Sequence, residues 1–504
     1  LAALLVIVEL AYVFIISAGT FTHWPIYSNY YDLMAEGFRA GHLDLPIKPY
    51  PELLARADPF DRANSDLWLW DASLYDGKYF FYWGPLPALF QAAAKSILGI
   101  QRLIGDQYLL FAFSTLYLVF GTLILERLAR RLFPSLPAGL LVLAVLVFAF
   151  ANPIPHGLAS AFVYQAAIMG GQAFLMLGVL FAFDAVWSTA GGERASGRLV
   201  LAGIAWGLAL ACRISLAPAV AALILVTALA TARPERNRLA RLITDGLRLG
   251  APVAAASGAL LLYNKLRFGA WTDFGVDLQL ATLKLHSSAS YIPMNLYSYA
   301  LRPFEWSSRF PFALQIADLE ARGVQRAEWL GAGYSTPEPV VGFLLAVPWT
   351  WIVPIGAFVC AERGLRRFLP SNGSEPDRRF RTAAWCCASF VILATLTGIM
   401  LLPMFVSTMR YLADFTPGTV LTAILCAWCL WSVTPENGWM RRICIAGCAA
   451  LGSATVLLGL LFGVQGYRDH FRVQNPKLYD RAVETFSFGH SGAQAQPSSG
   501  PRLR

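Results

Sequence analysis

The chain alternates long apolar runs with short polar breaks, and one long polar stretch interrupts the pattern early. A helix that crosses a bilayer needs about 20 apolar residues. Runs of that kind read at 1–20, 108–125, 137–151, 160–187, 199–212, 215–232, 250–266, 340–360, 383–405, 419–433 and 443–464. They predict an all-α polytopic membrane protein with about eleven spanning helices. The two runs on either side of Arg213 are each short for a span. The first run has no charged flank and no small-residue cleavage site, so it reads as a span and not as a signal peptide. The chain starts without Met, which leaves an N-terminal truncation open.

The predicted organisation follows from these runs. It comprises a first helix at 1–20, a first outer loop at 21–107, a helical core at 108–266, a second outer loop at 267–339, C-terminal helices at 340–466 and a polar tail at 467–504. The stretch 491–504 is rich in Ser, Pro, Gly and Gln and is predicted to be disordered. The sequence shows no repeat of fixed period and no inverted pair of broken hydrophobic segments.

Composition narrows the class. Hydrophobic residues make up 57% of the chain and charged residues 14%, against about 25% charged in a soluble domain. That excludes an ordinary soluble enzyme. The net charge of +9 points to nucleic acid only until the bases are placed. With Leu1 on the cytoplasmic side, the predicted inner loops carry Arg127, Arg130, Arg131, Arg194, Arg198, Arg233, Arg236, Arg238, Arg241, Arg248, Arg363, Arg366, Arg367, Arg378, Arg379, Arg381, Arg441 and Arg442. This is the positive-inside pattern. The segment 21–84 is the reverse, with nine acids against five bases, and lies outside in this topology. A Walker loop and a GxGxxG after a strand are both absent.

The first outer loop is the informative segment. Residues 27–41 read as a helix, with Tyr31, Met34, Ala35 and Phe38 on one face. Asp32 and Glu36 are four apart and share another face, expected to turn toward water from an interfacial helix. Asp58-Pro-Phe-Asp61 is a turn signal. An aromatic block from Trp70 to Pro87 follows, with Asp76-Gly77 as a tight turn between extended pieces. Pro85 and Pro87 open a second interfacial helix at 86–98, too short to span.

This block, with Gly77-Lys78 followed by aromatics and then Pro85, resembles the GT-C superfamily of membrane glycosyltransferases, which includes aminoarabinose transferases and protein O-mannosyltransferases. Tyr263–Gly269 and Arg410–Pro417 resemble further segments of uncharacterised bacterial members, as does the run from Asp58 to Pro85. The resemblance spans most of the chain. It implies transfer of a sugar from a polyprenyl-phosphate donor to a lipid, glycan or protein acceptor, on the periplasmic face of a bacterial inner membrane. Two departures matter. The Asp-Glu pair that opens the loop in better-known members has no counterpart at 24–28, and Trp83-Gly84 replace a Lys before the Pro pair. The resemblance therefore does not fix the catalytic acid.

Such a transfer needs a base for the acceptor, cations for the phosphate, and a groove beside the lipid. The candidate bases are Glu36 and Asp32, then Asp58, Asp61 and Asp71. Each could instead be a solvated or turn-capping acid. The candidate phosphate ligands are Arg213 and Arg410, then Arg267 and Lys78. Arg213 interrupts an apolar run, where a charge needs a cavity, a partner or the interface. An Arg410–Asp414 ion pair is the structural alternative for Arg410. Trp68, Trp70, Tyr75, Tyr79, Tyr82 and Trp83 could stack on sugar faces or form an interfacial belt.

No resident cofactor is specified. The acidic loop could hold Mg²⁺ or Ca²⁺, but no ligand spacing argues for it. The six His show no zinc spacing. Cys426 and Cys429 lie in an apolar run and read as packing residues. A lipid-linked sugar flippase and a surface-polysaccharide polymerase or ligase are the competing functions.

Overall fold

A computed structural model describes residues 1–232, 237–281, 285–315, 334, 338–363, 376–435, 438–467 and 469–486, without the side chains of 360–363 and 376. Arg233, Arg236, Arg366, Arg367, the Arg363 side chain, His490 and the tail at 491–504 lie outside the described residues.

The described chain is helical apart from two short antiparallel hairpins and isolated bridges. Among the described residues, seven helices are long and apolar enough to cross a membrane: Gln107–Leu132, Val163–Ala190, Ile214–Thr231, Arg238–Phe268, Asp377–Ile399, Met409–Val433 and Trp439–Gln465. Four expected spans are shorter apolar helices: Ala2–Ile16, Ala138–Phe150, Ser196–Cys212 and Pro348–Val359. The expected run at 340–360 is broken. Phe343–Ala346 ends at Val347, which leaves the helical region (φ −128°, ψ 71°) as the residue before Pro348 is pushed to do. The expected helix at 250–266 starts earlier, at Arg238.

Val163–Ala190 is buried on nearly every side, as expected for a helix that is apolar all round. It packs against Gln107–Leu132 and Ser196–Cys212, while Pro376–Ile399 packs against Leu412–Val433. At one end of the bundle, Asp184 accepts from Arg127 Nε at 2.9 Å and Arg131 Nη1 at 2.8 Å. Glu9, an acid inside the first helix, accepts from the Thr115 hydroxyl at 3.0 Å.

The segment between Ile16 and Gln107 covers the other end. It contains the helices Tyr30–Arg39 and Leu86–Leu98. They are joined by a buried ion cluster. Lys95 Nζ lies 2.8 Å from Asp32 and 2.5 Å from Glu36. Asp32 also accepts from Gln91 at 2.8 Å and from the Ile104 amide at 3.0 Å. The acids were expected to face water. Asp32 instead is fully buried, because it has Lys95 and two further donors to compensate it. Asp106 takes the start of the first helix, accepting from Ser28 Oγ and the Tyr30 and Tyr31 amides. Burial pushes its carboxyl up to about 6.

The aromatic block forms the expected hairpin. Ser73–Tyr75 pairs with Lys78–Phe80 around Asp76-Gly77, both at positive φ. A second segment is bound along it. The Asp71 amide donates to Leu280 O, Leu280 N to Ala72 O, and Leu74 N to Leu278 O. These bonds bring residues 274–281 to the same end of the bundle.

Candidate functional site

One cavity of about 540 Å³ opens at that end. Its walls come from segments far apart in sequence. Trp70, Asp71, Tyr82, Trp83 and Gly84 come from the first loop, and Tyr164 from the start of the central helix. Cys212, Arg213 and Ser215 come from the break between two helices, Phe274 and Gln279 from the second loop, and Arg410, Tyr411 and Asp414 from the start of another helix.

Arg213 stands where it does because Ser196–Cys212 stops there. Its backbone is extended (φ −150°, ψ 98°), and a short 3-10 turn follows before the chain resumes as Ala217–Thr231. The helix C-terminus favours a cation at that point. Its guanidinium meets Asp414 in a two-point contact, Nε to Oδ1 at 2.7 Å and Nη2 to Oδ2 at 2.5 Å. Asp414 lies in the first turn of Leu412–Val433, where an acid is favoured. Arg410 does not pair with Asp414. Its guanidinium contacts Glu338 instead and lies over the Tyr164 ring, 4.3 Å from the centroid. Arg410 Nε and Ser215 Oγ are buried without a hydrogen-bond partner among the described residues. Both belong to side chains that line the cavity.

Asp71 is the acid in this cavity that neither arginine holds. It accepts from the Tyr164 hydroxyl at Oδ2 and from Gln279 Nε2 at Oδ1, the latter at 2.9 Å. Removal from water raises its pKa from that of an ordinary Asp, while Tyr164, Arg410 and Gln279 pull it back. Its φ is +62°, a left-handed conformation that Asp tolerates better than most residues. A carboxylate with raised basicity in a cleft is suited to proton abstraction.

The other expected acids and cations lie elsewhere. Asp32 and Glu36 are held in the Lys95 cluster, and Lys95 above all lowers the Glu36 pKa. Asp58 accepts from the Phe60 amide and Asp61 from the Ala63 amide, both turn contacts. Lys78 is exposed and 3.6 Å from Asp44. Arg267 is buried beneath the loop, donating to Phe81 O and Asn264 Oδ1, with Tyr263 stacked at 3.8 Å. It lines a small neighbouring cavity that shares Tyr82, Trp83 and Phe274 with the large one. Trp70, Tyr82 and Trp83 line the large cavity, while Tyr75 and Tyr79 do not. Tyr164, Gln279, Glu338 and Ser215 were not singled out in the sequence. Among the described residues no cluster of three or more His, Cys, Asp or Glu could hold a metal ion.

The fold and cavity define a helical protein of membrane type with two carboxylates and two arginines in one apolar-walled site. No protein-family model matches the chain, and no curated protein matches it. Among solved structures it is similar to the oligosaccharyltransferase of Archaeoglobus fulgidus. Against that protein tethered to an acceptor peptide with the NVT sequon, identity is 13% and the TM-score 0.46, covering 100% of this chain and 61% of that one. Against AglB from the same organism with an inhibitory peptide and a dolichol-phosphate, identity is 12%, the TM-score 0.46 and the coverage the same. The form with Zn and sulfate gives 12% identity and a TM-score of 0.42. This chain thus spans less than two thirds of those proteins' length. A likeness at this level assigns no activity.

Proposed function

We propose that this chain is an integral-membrane glycosyltransferase of GT-C type, with about eleven spans and its cavity on the periplasmic face of a bacterial inner membrane. The donor is a polyprenyl-phosphate sugar, and the acceptor a lipid, glycan or protein. The observation that carries this reading is the single cavity shared by Asp71, Arg213 and Arg410.

Each requirement of the transfer has a residue. Asp71 takes the proton from the acceptor hydroxyl or amine. The acceptor lone pair bonds to the anomeric carbon, and the bond from that carbon to the phosphate oxygen breaks. The electron pair stays on the departing polyprenyl phosphate, whose charge the arginines stabilise. Arg213 is already locked to Asp414, so it acts as a fixed wall. Arg410 is the ligand whose Nε is an unused donor among the described residues, and whose acid a phosphate could replace. Trp70, Tyr82 and Trp83 offer aromatic faces to the sugar. Ile214 and Met400 line the cavity and are also 43% and 46% exposed, giving an apolar path for the polyprenyl chain.

The test is turnover by purified protein on labelled polyprenyl-phosphate monosaccharides. Release of polyprenyl monophosphate that stops in Asp71→Asn supports the reading. Sugar-lipid movement across proteoliposomes without bond cleavage would identify a flippase, and release of polyprenyl diphosphate from a polyprenyl-diphosphate-linked glycan, with no turnover of the monophosphate donor, would identify a polymerase or ligase.

A further inference from the structure

Tyr164 touches both halves of the site at once. Its hydroxyl donates to Asp71 Oδ2, and its ring carries the Arg410 guanidinium at 4.3 Å from the centroid. It is the second residue of Val163–Ala190, the most enclosed helix of the bundle. The Trp83 ring packs edge-on against it, with centroids 5.0 Å apart at 78°. The phenol is therefore held by a rigid helix on one side and a buried indole on the other. Asp71, by contrast, stands on a loop.

A base on a loop is effective only if something fixes its distance to the leaving group. Gln279 fixes one oxygen of Asp71, but from a second loop. Tyr164 contacts both the carboxylate and the cavity arginine at position 410, through separate atoms. We propose that Tyr164 is a positioning residue that sets the proton-abstracting carboxylate of Asp71 and the phosphate-binding guanidinium of Arg410 in register, through its hydroxyl and its ring respectively. The proposal rests on the reading of Asp71 as base and Arg410 as phosphate ligand.

The two roles separate in two variants. Tyr164→Phe keeps the ring and loses the hydroxyl. Tyr164→Leu loses both. Binding of undecaprenyl monophosphate to the purified full chain is measured by native mass spectrometry, beside turnover of the labelled donor across pH. Tyr164→Phe is expected to bind undecaprenyl monophosphate within twofold of wild type and to lose about tenfold in kcat. The acid limb of its pH profile should move upward by about one unit, since a hydrogen bond that favoured the charged carboxylate is gone. Tyr164→Leu is expected to weaken undecaprenyl monophosphate binding by about tenfold as well, the loss of a desolvated cation–π contact.

An unshifted pH limb with unchanged kcat in Tyr164→Phe overturns the proposal, and so does wild-type binding in Tyr164→Leu. If Tyr164→Leu does not fold, the pH limb of Tyr164→Phe decides alone. Failure of the underlying reading looks different: Asp71→Asn stays active, or wild type does not bind undecaprenyl monophosphate.

Discussion

Arg213 and Asp414 are 201 positions apart in the chain and close a two-point ion pair inside the cavity wall. The pair joins the break after Ser196–Cys212 to the first turn of Leu412–Val433. It therefore fixes two cavity walls to each other. Removing one partner leaves the other charge unpaired and mostly shielded, at 15% side-chain exposure for Arg213 and 3% for Asp414, at a cost of up to roughly 3–5 kcal/mol. Arg213→Ala should lower the melting temperature in detergent and abolish turnover. The double variant Arg213→Met with Asp414→Leu should regain most of the stability, because a buried pair can be replaced by apolar side chains at little net cost. It should stay inactive. Activity in the double variant would remove Arg213 from the site.

Glu338 occupies Arg410, the guanidinium proposed to take the donor phosphate. Both side chains are mostly shielded, at 14% and 17% exposure, so the carboxylate competes with an anionic ligand without much solvent screening. Glu338→Gln should lower the KM for the lipid-phosphate donor by about 3- to 10-fold, a difference of roughly 1 kcal/mol. Donor titration at fixed enzyme reads this directly. A raised KM would mean that Glu338 orients Arg410 and does not compete for it.

The ion cluster of the first loop gives a contrasting expectation. Lys95 is completely buried between Asp32 and Glu36. Lys95→Met leaves Asp32 buried beside Gln91 and the Ile104 amide without its cation. It should destabilise the protein by roughly 3–5 kcal/mol. Glu36→Gln should cost far less, since Lys95 keeps its pairing with Asp32 and position 36 is partly exposed. Its kcat should stay within about threefold of wild type, since ~0.7 kcal/mol is all that corresponds to. A loss of a hundredfold in kcat with normal melting would return Glu36 to the chemistry.

These contrasts show what the sequence could and could not disclose. The helical pattern, the hairpin at Asp76-Gly77 and the helix at Leu86–Leu98 were legible, because each is set by local spacing and turn chemistry. The shared face of Asp32 and Glu36 was legible too. Its orientation was not, because Lys95 lies 63 positions from Asp32 and only tertiary packing joins them. Arg213, Arg410 and Asp71 stood out as charges in apolar or aromatic surroundings. The pairing of Asp414 with Arg213 was hidden behind the nearer Arg410. Tyr164 and Gln279 carried no local signal: their partners sit 93 and 208 positions away.

Asp71 sets the expected pH dependence. Its folded-state pKa is raised by removal from water, so the folded carboxylate takes up a proton at higher pH than an unfolded one. Activity should fall as pH drops through that raised pKa, because the base is lost. Stability has the opposite sign: protonation relieves a buried charge, so this group favours the folded state more as pH falls. Asp71→Asn should therefore abolish the acid limb together with activity, while its melting temperature at neutral pH is no lower than that of wild type. A markedly lower melting temperature would mean that the charged form is needed for folding.

Gly84 tests how tightly the first loop must seat. It lines the cavity between Trp83 and Pro85, and a Cβ built there would lie 2.0 Å from Ala211 O. That oxygen belongs to the last turn of Ser196–Cys212, so the obstacle is backbone and cannot rotate aside. Gly84→Ala must push the loop off the helix end that carries Arg213. Overpacking of this kind costs about 1–3 kcal/mol. It also moves Trp83, which packs on Tyr164, so the cavity should lose geometry before the protein loses its fold. The expected result is a protein that purifies as a monodisperse species with a lower melting temperature and at least tenfold lower kcat. Wild-type kcat in this variant would show that the register between the first loop and Arg213 does not matter to the reaction.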